Sequence, residues 1–184
     1  MATSGTTSFD LNIDEIIDEG YERCGLTTNS GYDLRSARRS LNLLFAEWGN
    51  RGIHLWKVAL HENALVSGQA EYSVSAGVND VLEAFVSTTA AGANTVNTQD
   101  VALTKMDRSA YSALPNKLAL GQPSQYYVDR ATTPKIYLYQ APDLNTYTTL
   151  KYYVIKRIED AGAYTDDPDV AYRFLPCMVA GLAY

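Results

Sequence analysis

The stretch YDLRSARRSLNLLFAEWGNRGIHLWKVAL, residues 32–60, changes its hydrophobic period part-way along. Up to Trp48, the apolar residues Leu34, Ala37, Leu41, Leu44, Phe45 and Trp48 recur at helical steps and form one stripe. Tyr32-Asp33 opens this helix, and Gly49 and Gly52 flank its end. From about Ile53 the period falls to two, so His54 to Leu60 reads as a strand. One side of the switch is helical and the other is β, which predicts an α+β fold with segregated elements.

Upstream, a second amphipathic helix is expected over about Asp10 to Cys24. Ile13, Ile16, Ile17, Gly20 and Cys24 share one side of it, within roughly 100° of arc at 100° per residue. Asp14, Glu15, Asp18, Glu19 and Glu22 fill the other side, Asp10 is the expected N-cap, and Gly25 stops the helix. The short connection between the two helices implies an antiparallel hairpin. Arg35, Arg38 and Arg39 lie beside the second stripe, so acids and arginines face out from neighbouring helices. They can pair within one subunit, pair between subunits, or simply be solvated.

Downstream, Glu71–Val74, Val78–Thr88 and Val101–Thr104 are β-rich, with a Ser67-Gly68 turn and a projecting loop over Thr89–Asp100. Met106–Leu114 suggests one or two helical turns capped by Asp107 or Ser109. Three closely spaced strands follow, Gln125–Arg130, Pro134–Gln140 and Thr148–Arg157, and predict an antiparallel meander closed as a small barrel or sandwich. Asp166-Asp167-Pro168 is expected to start a final helix, kinked near Pro176 and packed on the hairpin. The expected organisation is a helical hairpin over 10–52, a β domain over 53–165 and a C-terminal helix from 166 to 184. Because the chain halts inside the apolar run Phe174–Tyr184, a fragment of a longer protein is expected, with Phe174, Leu175, Met178, Val179 and Leu182 exposed and prone to association.

Composition narrows the function classes. With 184 residues, 46% hydrophobic and 20% charged, the chain is neither disordered nor collagen-like. A net charge of −6 makes double-stranded nucleic acid a poor partner for the surface as a whole. Residues 1–8 have neither the basic region nor the apolar core of a secretory signal. The longest apolar run, 174–184, falls short of the roughly 20 residues that a spanning helix needs. Cys24 and Cys177 fit neither a disulfide framework nor a zinc knuckle and read as buried reduced thiols.

Signals for chemistry are weak. His54 and His61 lack a third ligand nearby, so no metal or cofactor is expected. Phosphate loops, dinucleotide fingerprints, nucleophile elbows and HExxH are all missing. Asp166, Asp167 and Asp169 are explained by a helix N-terminus, although a glycosidase also uses paired carboxylates. The 14 tyrosines concentrate late, at Tyr126, Tyr127, Tyr137, Tyr139, Tyr147, Tyr152 and Tyr153. Strand propensity and interface enrichment account for them better than a sugar-stacking platform does.

Several strings carry a family resemblance: residues 121–130 (GQPSQYYVDR), 134–142 (PKIYLYQAP), 150–162 (LKYYVIKRIEDAG) and 172–184 (YRFLPCMVAGLAY). The early block 38–56 (RRSLNLLFAEWGNRGIHLW), Glu71-Tyr72 and Asp80–Glu83 agree with them. From residue 10 onward the chain resembles the head-to-tail adaptor of short-tailed bacteriophages, also described as tail tubular protein A or tail accessory factor. The resemblance implies a helical bundle with a small β domain, and no catalytic motif. It further implies a twelve-membered ring between the portal and the tail nozzle, with genomic DNA passing through its channel. The location implied is the virion tail at the portal vertex, after assembly in the host cytoplasm. The family's final helix normally continues beyond the position of Tyr184. Within such a ring, Asp14, Asp18 and Glu22 are expected to face the channel, and Arg35, Arg38 and Arg39 the neighbouring subunit. Two alternatives remain: a glycan-binding module of a phage tail or surface protein using the Tyr-rich strands, and a carbohydrate-cleaving enzyme.

Overall fold

In the computed structural model, which describes residues 5–6, 9–27, 31–53, 55–93 and 98–184, the described residues form four α-helices and ten strands, an α+β chain. The chain divides into two compact units, 1–56 with 158–184 and 57–157.

The first unit is helical. It holds α1 (Ile13–Arg23), α2 (Gly31–Asn50) and α4 (Leu175–Ala183). Ile13, Ile16 and Ile17 of α1, Leu41, Phe45 and Trp48 of α2, and Leu175, Met178 and Val179 of α4 share one core. Close approach depends on small residues. A Cβ built on Gly20 would lie 3.1 Å from Leu182 Cδ2, and one on Gly181 would lie 2.8 Å from Leu44 Cδ2.

Local chemistry moves several helix ends away from expectation. Asn12, not Asp10, caps α1: its side chain accepts from Glu15 N at 2.9 Å while Glu15 Oε2 accepts from Asn12 N at 3.1 Å. Asp10 instead accepts from Leu11 N. A reciprocal capping box satisfies two backbone donors, which a lone Asp cannot do. No helix begins at Asp166. The 163–166 loop closes on α1, with Ile13 N donating to Asp166 O at 3.1 Å and Asp14 N to Tyr164 O at 3.0 Å. Helix α4 follows a short 3₁₀ turn, and Pro176 sits in its first turn. There its missing N–H costs nothing, so it starts the helix and makes no kink. Leu175, Met178 and Val179, expected to be exposed, are buried, and Phe174 and Leu182 are partly buried against the same core.

The second unit is β. One sheet has the order β1-β10-β3-β4, with β1 Val58–Ala64, β3 Val78–Ser87, β4 Asp100–Ala102 and β10 Thr149–Lys156. The other runs β2-β8-β7-β5, with β2 Glu71–Ser73, β5 Thr104–Met106, β7 Gln125–Asp129 and β8 Lys135–Tyr139. β6 (Leu120–Gly121) and β9 (Ala141–Pro142) form a separate parallel pair. A short helix, α3 (Arg108–Ala113), is capped by Asp107. Both four-stranded sheets contribute to one core, including Val81, Val86, Tyr126, Ile136, Leu138, Leu150, Tyr152 and Val154.

Two expectations for this unit are corrected. Neither sheet closes into a barrel: β1 and β4 are the edges of one, β2 and β5 of the other. The strand expected over 101–104 breaks at Leu103, where the chain leaves the first sheet for the second, and three-residue edge strands are too short to wrap. The order is not a plain meander either. β5 pairs with β7 in parallel, and β10 inserts between β1 and β3, antiparallel to both.

The unit boundaries also differ from those expected at 52/53 and 165/166. Ile53, Trp56, Ile158 and Ala161 all pack into the helical core. Trp56 Nε1 donates to Asp169 O at 3.1 Å, and Asn42 Oδ1 accepts from Ala161 N at 2.7 Å.

Candidate functional site

The capped start of α1 and the first turn of α4 leave a groove between them. Its volume is about 550 Å³, and its lining includes Phe9, Leu11, Tyr172, Leu175, Pro176 and Val179. Phe9 is 70% exposed and Tyr172 73% exposed, so two aromatic side chains stand in solvent at an apolar depression. Glu15, Asp18, Glu19 and Glu22 of α1 rim the same groove, joined by Arg23. Arg23 Nε donates to Glu19 Oε1 at 2.8 Å, and Glu15 takes part in the capping box, so these two acids have partners on their own helix.

The acids follow from the helix pattern. With Ile13, Ile16, Ile17 and Gly20 turned to the core, the positions between them face out, and α1 carries an acid at most of those places. Chemically, an apolar floor under a carboxylate rim suits a segment that presents cations next to apolar side chains.

Of the acids expected to face a channel, Asp18 and Glu22 line the groove and Asp14 lies exposed outside its lining. The three arginines separate as well. Arg38 turns into its own unit, donating to Gly162 O at 3.1 Å with its guanidinium 5.6 Å from the Tyr164 ring centre. Arg35 and Arg39 remain exposed and make local bonds to Gly31 O and the Ser36 hydroxyl.

The late tyrosines divide by strand alternation. Tyr126 and Tyr152 point into the β core, while Tyr127, Tyr137 and Tyr139 alternate to the other face. Tyr126 donates its hydroxyl to Leu82 O at 3.1 Å, and burial, with smaller contributions from Asp80 and Glu83, pushes its pKa up to about 12. On the outer face, Tyr111 of α3 stacks on Tyr127 at 5.3 Å and tilts on Tyr137 at 5.5 Å. A cleft of about 350 Å³ beside them is lined by Arg108, Ser112, Lys117 and Asp129 together with the three rings.

The remaining candidates make local contacts where they are described. His54 lies outside the described residues. His61 is 3.2 Å from the Ser75 hydroxyl, and burial, followed by Lys156, lowers its pKa below the usual histidine range. Asp166 Oδ2 accepts from Ala163 N and Asp169 Oδ2 from Glu159 N, so both brace loops. Both cysteines are exposed and not buried, because Cys24 falls at the C-cap of α1 and Cys177 on the outward side of α4. Among the described residues, no cluster of His, Cys, Asp or Glu is placed to hold a metal ion. Nor is any described helix long and apolar enough to cross a membrane.

Phe9 and Tyr111 escaped the sequence pattern. Phe9 precedes the cap and has no periodic partner, and Tyr111 sits in a helix too short to show a period. No protein-family model matches this chain, and no curated protein sequence matches it.

Proposed function

We propose that this chain is a subunit of the adaptor ring that joins the portal to the tail nozzle of a short-tailed bacteriophage. The observation that supports it most is the acid-rimmed apolar groove on a helical unit that also displays exposed arginines. A ring of identical subunits needs two different, mutually complementary surfaces on each copy, because only head-to-tail contacts closing by rotation generate it. The α1, α2 and α4 core is read here as the adaptor's bundle, and the two sheets on one core as its small β domain, a sandwich. Portal and nozzle proteins are the partners. Genomic DNA crosses the channel without sequence-specific binding, and the overall charge of −6 suits a conduit that a polyanion slides through. The function is structural, in the virion tail, with no reaction assigned to the chain.

The test is mixing the protein with the portal ring encoded in the same genome and weighing the product by sedimentation velocity. A ring-on-ring complex is expected. A chain that leaves the portal boundary unchanged at every ratio contradicts the proposal.

A second reading, a glycan-binding module of a tail or surface protein, draws on the cleft in which Arg108, Lys117 and Asp129 stand beside tyrosine rings. Saturable binding on a glycan array, lost in Tyr127→Ala, would favour it over the adaptor.

A further inference from the structure

We propose that the α1/α4 groove of one copy receives the outward stripe of α2 from a second copy, which deepens the adaptor reading and rests on it. At 100° per residue, Tyr32, Arg35, Arg39 and Leu43 fall within roughly 80° of arc on α2. Tyr32 is 72% exposed and Leu43 65% exposed, so the stripe is two arginines bracketed by two unburied apolar side chains. Arg38 lies off this stripe and is bound to Gly162 O and the Tyr164 ring.

The groove is the complement of that stripe in charge and in spacing. Asp18 and Glu22 on the rim are four residues apart on α1, as Arg35 and Arg39 are on α2, and each pair spans about 6 Å along its helix. Phe9 and Tyr172 supply exposed aromatic surface in the groove, opposite in role to Tyr32 and Leu43 on the stripe. Groove and stripe belong to the same unit and are different patches, so the contact is head-to-tail. Carboxylate against guanidinium at the rim fixes the register, and the apolar groups exclude water at the centre. Asp18 and Glu22 are thereby assigned to the contact between copies in place of a channel lining.

Charge exchange tests the contact. Two variants each spoil one patch, D18K/E22K and R35E/R39E, and a third carries all four substitutions. Surface changes of this kind leave folding nearly untouched, and far-UV circular dichroism of each variant checks that. Sedimentation velocity over a dilution series then reads self-association. We expect each two-site variant to associate more weakly than the parent chain by about tenfold or more, since like charges oppose at the rim. The four-site variant, and an equimolar mixture of the two-site variants, should recover association.

Parent-like association by both two-site variants, no recovery by the four-site variant, or a parent chain monomeric at every concentration overturns the contact. If the two-site variants associate normally but lose the portal complex, the groove takes a portal segment instead, and the adaptor reading survives without this contact. If charge exchange behaves as expected but no portal complex forms, the contact stands and the adaptor reading fails.

Discussion

The tyrosine face of the β unit and the α1/α4 groove of the helical unit both expose aromatic rings beside charged side chains, yet they differ in what covers them. Tyr127 and Tyr137 are half-buried because α3 lays Tyr111 across them, with ring centres 5.3 and 5.5 Å away. Among the described residues no ring lies over Phe9 or Tyr172, which stand about 70% exposed. A chain that supplies its own lid over one aromatic face gains stability from it. A face left open beside a carboxylate rim contributes little to folding, which makes it the surface that another molecule can use.

Stability measurements can break or sharpen this contrast. The largest effect is expected at the closed core: Tyr126→Ala should cost about 3 to 5 kcal/mol in urea unfolding, and Tyr126→Phe about 1 kcal/mol for the lost bond to Leu82 O. Tyr111→Ala removes two ring contacts and should cost about 1 to 3 kcal/mol, at roughly 0.5 to 1.5 per aromatic pair. A cost near zero would mean the lid is not a lid. Asn12→Ala should lose about 1 kcal/mol as the α1 cap goes. Phe9→Ser with Tyr172→Ser should change stability by no more than about 0.5 kcal/mol each, while weakening self-association. If that pair destabilises as much as Tyr111→Ala, the groove is part of the fold and not a docking surface.

The smallest effect concerns pH. The pKa of His61 is held below its ordinary 6.5 by burial and then by Lys156, so the folded state disfavours the proton. Its contribution is therefore complete above 6.5 and fades as pH falls through the lower folded value. An NMR titration should show that lowered midpoint, and His61→Gln should flatten the acid side of the stability curve.

The α+β class and most elements were readable because periods of 3.6 and 2 leave long traces in residues 13–48 and 125–156. Boundaries were less so, and some of them depend on partners distant in sequence. Asn12 takes the cap through a local partner, Glu15, whereas the stretch after Asp166 stays out of a helix while Asp166 O and Tyr164 O accept from Ile13 N and Asp14 N, about 150 residues away. Of the expected barrel or sandwich, the barrel fails at Leu103, a change of sheet that the three apolar residues 101–103 cannot announce. Of the site, the acids of α1 and the arginines of α2 were visible as faces. Their division was not: Arg38 is separated from Arg35 and Arg39 by Tyr164 and Gly162, which lie more than a hundred residues away in sequence.

The most direct measurement is cryo-electron microscopy of the particle assembled from this chain and the portal ring of the same genome. A closed ring of copies on the portal is expected, with Arg35 and Arg39 of each copy seated against Asp18 and Glu22 of the next. An undecorated portal, or a ring in which the α1/α4 groove of every copy stands open, would contradict it.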